Sequence, residues 1–175
     1  EFVGYELLEC ECELLRYREV KTKGKTQLQL VLNRTPFYAE SGGQVGDTGT
    51  ISNARESIRI LDTQKENNLI VHYCDKLPVN PSANFHAKVD TVRRKDITGN
   101  HSATHLMHSA LRKVLGSHVA QKGSLVNESV TRFDFSHFTK VTDVEMEQIE
   151  KIVNEKIREN ITLDEQRNVP IAKAT

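Results

Sequence analysis

Asn100-His101-Ser102-Ala103-Thr104-His105-Leu106-Met107-His108, running on through Arg112 to Leu115, divides this chain. It is the first stretch with a helical repeat, and the residues before it read as strands. On a helix, His101, His105, His108 and Arg112 form one narrow stripe. Ala103, Leu106, Met107, Ala110 and Val114 form the opposite one. One side is built to bury, and the other presents a column of imidazoles. Two histidines one turn apart have the spacing needed to hold one metal ion. A solvated polar face that happens to use histidine has the same spacing, and two ligands do not make a zinc site.

From Phe2 to about Lys95 the texture is strand-like. Leu28, Leu30 and Leu32 alternate with Gln27, Gln29 and Val31, and Ile58 and Ile60 with Ser57 and Arg59. Leu69, Val71 and Tyr73 alternate with Ile70 and His72, and this period of two places one set of side chains on a core face. Lys23-Gly24-Lys25 and Asn67-Asn68 read as hairpin turns, and Pro78 and Pro81 mark a loop before a last strand at Phe85–Val89. Short strands without a long helical pattern between them predict a small closed or nearly closed antiparallel barrel. Cys10-Glu11-Cys12 is weak as a metal pair and suits two small buried hydrophobes.

Within this region Arg34 to Gly49 holds Gly42, Gly43, Gly46 and Gly49, more glycine than a plain hairpin needs. Such a loop adopts positive φ and approaches another backbone or a ligand closely. It lacks the Gly-Lys-Ser/Thr ending of a phosphate-binding loop and the glycine spacing of a dinucleotide fold. An ornate turn and a loop closing over a substrate remain open alternatives.

Arg93-Arg94-Lys95 precedes the histidine stretch. A solvated charge run is the ordinary reading, and phosphate contact the functional one. Thr98 or Asn100 is suited to cap the helix and Gly116 to end it. Gln121–Val126 and Thr131–Phe138 read as paired strands. Thr142-x-x-Glu145 is a capping box opening a helix whose apolar stripe is Met146, Ile149, Val153 and Ile157. The second half is therefore α+β, helices packed on an antiparallel sheet.

The chain's 175 residues suffice for one domain or two small ones, and 27% charged with 37% apolar residues describes an ordinary globular chain. No apolar run approaches a bilayer span, so no membrane partner is expected. Lysine and arginine balance aspartate and glutamate, so any nucleic-acid contact rests on a local patch. The odd cysteine count, in no disulfide pattern, suits the reduced cytosol. A start at Glu1 rather than Met suggests a piece of a longer protein.

Five segments in order carry a resemblance: Phe2-Val3-Gly4-Tyr5, Thr35 to Gln44, His101 to Leu106, Gln121-Lys122-Gly123-Ser124 and Arg132-Phe133-Asp134-Phe135. Over essentially its whole length the chain resembles alanyl-tRNA synthetases, in the region after their aminoacylation and tRNA-recognition domains. The resemblance implies a translation-factor-like β barrel over residues 1–95, carrying the glycine-rich loop. Residues 96–175 would be the front of an α+β editing domain shared with threonyl-tRNA synthetases and freestanding editing proteins. The implied activity is hydrolysis of tRNA(Ala) mischarged with serine or, to a lesser degree, glycine. The need for it follows from binding physics, because a pocket for a methyl group rejects glycine or an added hydroxyl only modestly.

By that resemblance zinc is the cofactor, held by a His-x-x-x-His pair, matched by His101 and His105, and by a later Cys-x-x-x-His pair that this sequence lacks. The zinc site is then a half-site, and the isolated fragment is expected to edit poorly or not at all. Thr104, beside the two histidines, has a hydroxyl able to meet the serine side chain, or is a helix residue with a backbone-satisfied hydroxyl. Gln121 matches a polar position in the family's site, with an amide able to orient the ester or the attacking water, and Gly42 and Gly43 match the glycine motif near the aminoacyl end. Arg132 matches a substrate-side position, although an Arg–Asp pair with Asp134 explains it more simply. His108 shares the ligands' phase but lies outside the matched pair. ATP and magnesium serve an aminoacylation domain not represented here. The expected partners are tRNA(Ala) and other domains of the same chain, in the cytoplasm. The alternatives are a freestanding editing deacylase and a non-catalytic tRNA-binding module.

Overall fold

The computed structural model describes residues 1–22, 24–162, 169, 170 and 173. Six strands, β1 (Glu9–Thr22), β2 (Lys25–Leu32), β3 (Gly49–Ser52), β4 (Ser57–Glu66), β5 (Leu69–Cys74) and β6 (Asn84–Val89), close into an antiparallel barrel in the order β1-β2-β5-β4-β3-β6. Closure pairs Glu9–Glu13 of β1 with Asn84–Lys88 of β6, so neither end strand of the order is left as a free edge. The alternating residues meet inside: Leu30, Leu32, Ile51, Ile58, Ile60, Phe85 and Val89 are buried together, with Phe37 entering from the glycine-rich loop. Asn67, at φ +55°, turns the β4–β5 hairpin, and Gly24, at φ +77°, turns β1 into β2. Lys23, the other residue assigned to that turn, lies outside the described residues.

The structure decides which set of β5 faces inward: His72 and Cys74 are buried, Val71 is buried too, and Leu69 and Tyr73 are not. The register decides it, because Cys74 pairs with Leu28 and His72 with Leu30, and cross-strand partners share a face. His72 is tolerated there because both ring nitrogens have partners. Nδ1 donates to the Leu30 carbonyl (3.2 Å), and Nε2 accepts from the Thr35 hydroxyl (2.8 Å). Full burial holds its pKa down to about 4, so the ring is neutral. Cys10, Cys12 and Cys74 are buried small hydrophobes. Burial pushes the Cys12 thiol up to about 12 and the Cys74 thiol up to about 11.

The second half comprises helix α1 (Thr91–Leu115), the hairpin β7 (Gln121–Val126) and β8 (Thr131–Phe135), and helix α2 (Asp143–Arg158). Helix α1 starts earlier than Thr98 or Asn100. Asp90 is its N-cap, accepting from the Arg93 amide at 3.0 Å. Gly116 ends it as expected, its amide bonding to the Arg112 carbonyl. The early start was hidden in the charge run, whose Lys95 is exposed while its two arginines are not. Arg94 is largely buried and forms an ion pair with Asp47, while Arg93 pairs with Glu128 at 3.2 Å and donates to the Gly46 carbonyl. These arginines bind the first turn of α1 to the glycine-rich loop and to the β7–β8 turn.

The second core joins Ala110, Leu111, Val119 and Ile149, with Met107, Val114, Phe133, Phe135, Ile152 and Val153 packed around them. Thr142 forms its capping box with Glu145. Met146 and Ile157, however, are exposed, and Ile152 takes a place on the buried face instead. Among the described residues helix α2 lies chiefly against α1, so its covered stripe is short. Among the described residues no helix is long and apolar enough to cross a membrane.

Candidate functional site

The glycine-rich loop is where barrel and hairpin meet. Ser41 and Gln44 bridge each other across Gly42-Gly43, which sit at φ +61° and +84°. This tight turn lies along β7: the Val126 amide donates to the Gly43 carbonyl (2.8 Å), and the Val45 amide to the Val126 carbonyl (3.1 Å). A Cβ on Gly43 would fall 2.2 Å from Ser124 Oγ and 2.7 Å from the Ser124 carbonyl oxygen, whereas one on Gly42 would meet nothing. Glycine at 43 is therefore required twice over, by φ and by the approach of β7. Beneath the turn, Asp47 accepts from the Tyr38 amide (2.7 Å) and from Arg94 Nε (2.9 Å), which fixes the loop to α1.

The loop thereby reaches the histidine face. Gln44 Oε1 lies 2.6 Å from His101 Nδ1. With that oxygen accepting, Nδ1 carries the proton and Nε2 keeps its lone pair, the arrangement a metal-ligating imidazole needs. The rings of His101 and His105 lie nearly parallel, 5.0 Å between centroids. Burial, and then the neighbouring His105, hold the His101 pKa below the usual histidine range, which favours its neutral form. Among the described residues no group of three or more histidine, cysteine, aspartate or glutamate side chains is placed to hold a metal ion. Two imidazoles are at most half of the four donors a zinc shell needs.

A narrow cleft of about 80 Å³ is lined by Gly42, His101, Thr104, His105, His108, Gln121, Ser124, Val126 and Phe133. It brings together six positions singled out in the sequence: His101, His105, His108, Thr104, Gln121 and Gly42. Gly43 stands beside it as the contact with Ser124. Thr104 is buried and its hydroxyl donates to the Asn100 carbonyl at 2.8 Å. Gln121 is exposed and donates through Nε2 to Ser124 Oγ at 3.1 Å. Arg132 lies outside the cleft, exposed, and pairs with Asp134 two residues along the same strand (3.2 Å). Gln44, Ser124 and Phe133 received no role from the sequence. Gln44 ends the glycine run and Ser124 follows Gly123, but nothing local indicates that either meets α1 or the turn. A wider, open cleft of about 340 Å³, bordered by Tyr5, Tyr38, Arg94, Thr98 and Ser102, adjoins the other side of the histidine pair.

The family model for tRNA synthetases class II (A) matches residues 1–93. The chain belongs to this family. Among its relatives, the alanine–tRNA ligase of Cytophaga hutchinsonii is 61% identical over 174 residues, covering 99% of this chain and 20% of that protein. The alanine–tRNA ligase of Bacteroides fragilis is 58% identical with the same coverage. That of Porphyromonas gingivalis is 50% identical over 175 residues, again 99% of this chain and 20% of the relative. This member of the class II (A) synthetases therefore spans about one fifth of the length of the curated relatives it matches.

Proposed function

We propose that this chain is part of an alanine–tRNA ligase and forms the front half of a site that hydrolyses tRNA(Ala) wrongly esterified with serine or glycine. The supporting observation is the convergence of His101, His105, Thr104, Gln121 and Gly42 on one narrow cleft, although they come from a loop, a helix and a strand. A cleft of that size suits a small aminoacyl group rather than a long side chain. His101 and His105 would hold zinc through two imidazole nitrogens, with the remaining ligands supplied from outside the described residues. When bound, zinc polarises the ester carbonyl and lowers the pKa of a water.

The chain's own groups orient the substrate. Gln44 fixes the tautomer of His101. Gln121, reachable from solvent, offers an amide to the ester or the attacking water. The Gly42 backbone lets the aminoacyl end approach without a side chain in the way. The partners are tRNA(Ala) and further domains of the ligase, in the cytoplasm. ATP and magnesium belong to its aminoacylation domain. The division into a barrel over 1–95 and an editing unit from 96 onward is part of the same reading, as is the inactivity of the half-site alone.

The test is deacylation of seryl-tRNA(Ala) by the full-length protein carrying this sequence, with and without His101→Ala plus His105→Ala. Loss of zinc chemistry lowers the rate more than about a hundred-fold. Unchanged deacylation makes the histidine face structural and ends the proposal.

A further inference from the structure

The narrow cleft holds one group without an explanation. His108 Nε2 is buried and has no hydrogen-bond partner among the described residues. Its ring packs on Phe133, 5.0 Å between centroids, and His108 lines the same cleft as Thr104 and His105. A buried ring nitrogen left unpaired costs stability unless a ligand or water meets it. Four residues before it on the same face stands Thr104. The Thr104 proton is committed to the Asn100 carbonyl, so its oxygen can only accept. The cleft thus offers one unpaired ring nitrogen, His108 Nε2, which donates in its Nε2–H tautomer, and one hydroxyl oxygen left to accept, Thr104 Oγ1, one helical turn apart.

A hydroxyl is the group that needs one of each. It donates through its own proton and accepts on its oxygen. Position points the same way. His108 lies about 4.5 Å along the helix from His105, on the side away from His101. That offset suits the side chain of an aminoacyl group whose ester sits at His101 and His105. A cleft of about 80 Å³ has room for a few heavy atoms, since a water occupies about 30 Å³ of liquid.

We propose that His108 is a specificity-determining residue, whose Nε2–H donates to the side-chain hydroxyl of a seryl ester while that hydroxyl donates to Thr104 Oγ1. The inference rests on the reading that this cleft takes an aminoacyl ester, and it adds how serine is chosen. An alanyl ester would leave both groups buried and unpaired, so the correct product is disfavoured by the arrangement that accepts the wrong one.

The test separates recognition from hydrolysis. Non-hydrolysable 3′-amide analogues of seryl- and glycyl-adenosine are titrated against the full-length protein, wild type, His108→Leu and His108→Gln. Wild type binds the seryl analogue about ten-fold more tightly than the glycyl one. His108→Leu loses that preference with the glycyl affinity unchanged, and His108→Gln, which keeps an N–H donor, retains part of it. A wild type without seryl preference, or a preference that survives in His108→Leu, overturns the proposal. Equal weakening of both analogues in His108→Leu and His108→Gln overturns it too, since that marks a packing role. The hydrolytic reading fails separately, if deacylation survives removal of His101 and His105.

Discussion

Alanine substitutions at Gly42 and Gly43 isolate the contact that joins barrel to hairpin. The two glycines share one turn and one region of φ, so the conformational cost of a Cβ is about 1 kcal/mol at each. They differ in surroundings. A Cβ at 42 meets open space, while at 43 it falls 2.7 Å from the Ser124 carbonyl oxygen, where ordinary contact begins near 3.4 Å. The loop in Gly43→Ala must withdraw from β7, which breaks the Val126-to-Gly43 and Val45-to-Val126 backbone bonds. At about 1 kcal/mol each, that brings Gly43→Ala to about 3 kcal/mol against about 1 for Gly42→Ala. Urea unfolding measures the totals, and amide hydrogen exchange at Val45 and Val126 locates the difference. Equal costs for the two variants, or undiminished protection of both amides in Gly43→Ala, would refute the interlock.

Two further outcomes follow from buried titratable groups. His72 has a folded pKa of about 4 against an ordinary 6.5, so between these values the unfolded chain binds more protons than the folded one. Stability is complete above about pH 6.5 and falls by up to roughly 3 kcal/mol as pH drops toward 4. His101 acts with the same sign, whereas the raised pKa of exposed His86, beside Glu11 and Glu9, acts with the opposite one. Urea midpoints across this range, compared with His72→Gln, give the slope, and a flat wild-type profile contradicts the assignment. Cys12 and Cys74, with thiols near 12 and 11, carry little thiolate at pH 8. Iodoacetamide labels both in urea and neither in the native protein over the same interval. Prompt native labelling of Cys12, read by mass spectrometry, would show that the barrel is open there.

Much of this molecule was legible locally. The period of two in Leu28–Leu32 and Ile58–Ile60 announces a sheet face because side chains alternate on any strand. Gly116 and the Thr142–Glu145 box mark helix ends through bonds made within a few residues. His101 and His105 share a face because a helix turns at a set rate. Other features depended on partners far along the chain. Which side of β5 enters the barrel followed from its register against β2, and that admitted His72 in place of Tyr73. Arg93 and Arg94 look like solvated charge until Glu128 and Asp47 come to meet them. Gln44 reaches His101, and Gly43 touches Ser124, across separations no periodicity encodes. Local bonding rules specify the elements, while contacts between distant residues exist only once the chain has closed, and those contacts build the cleft.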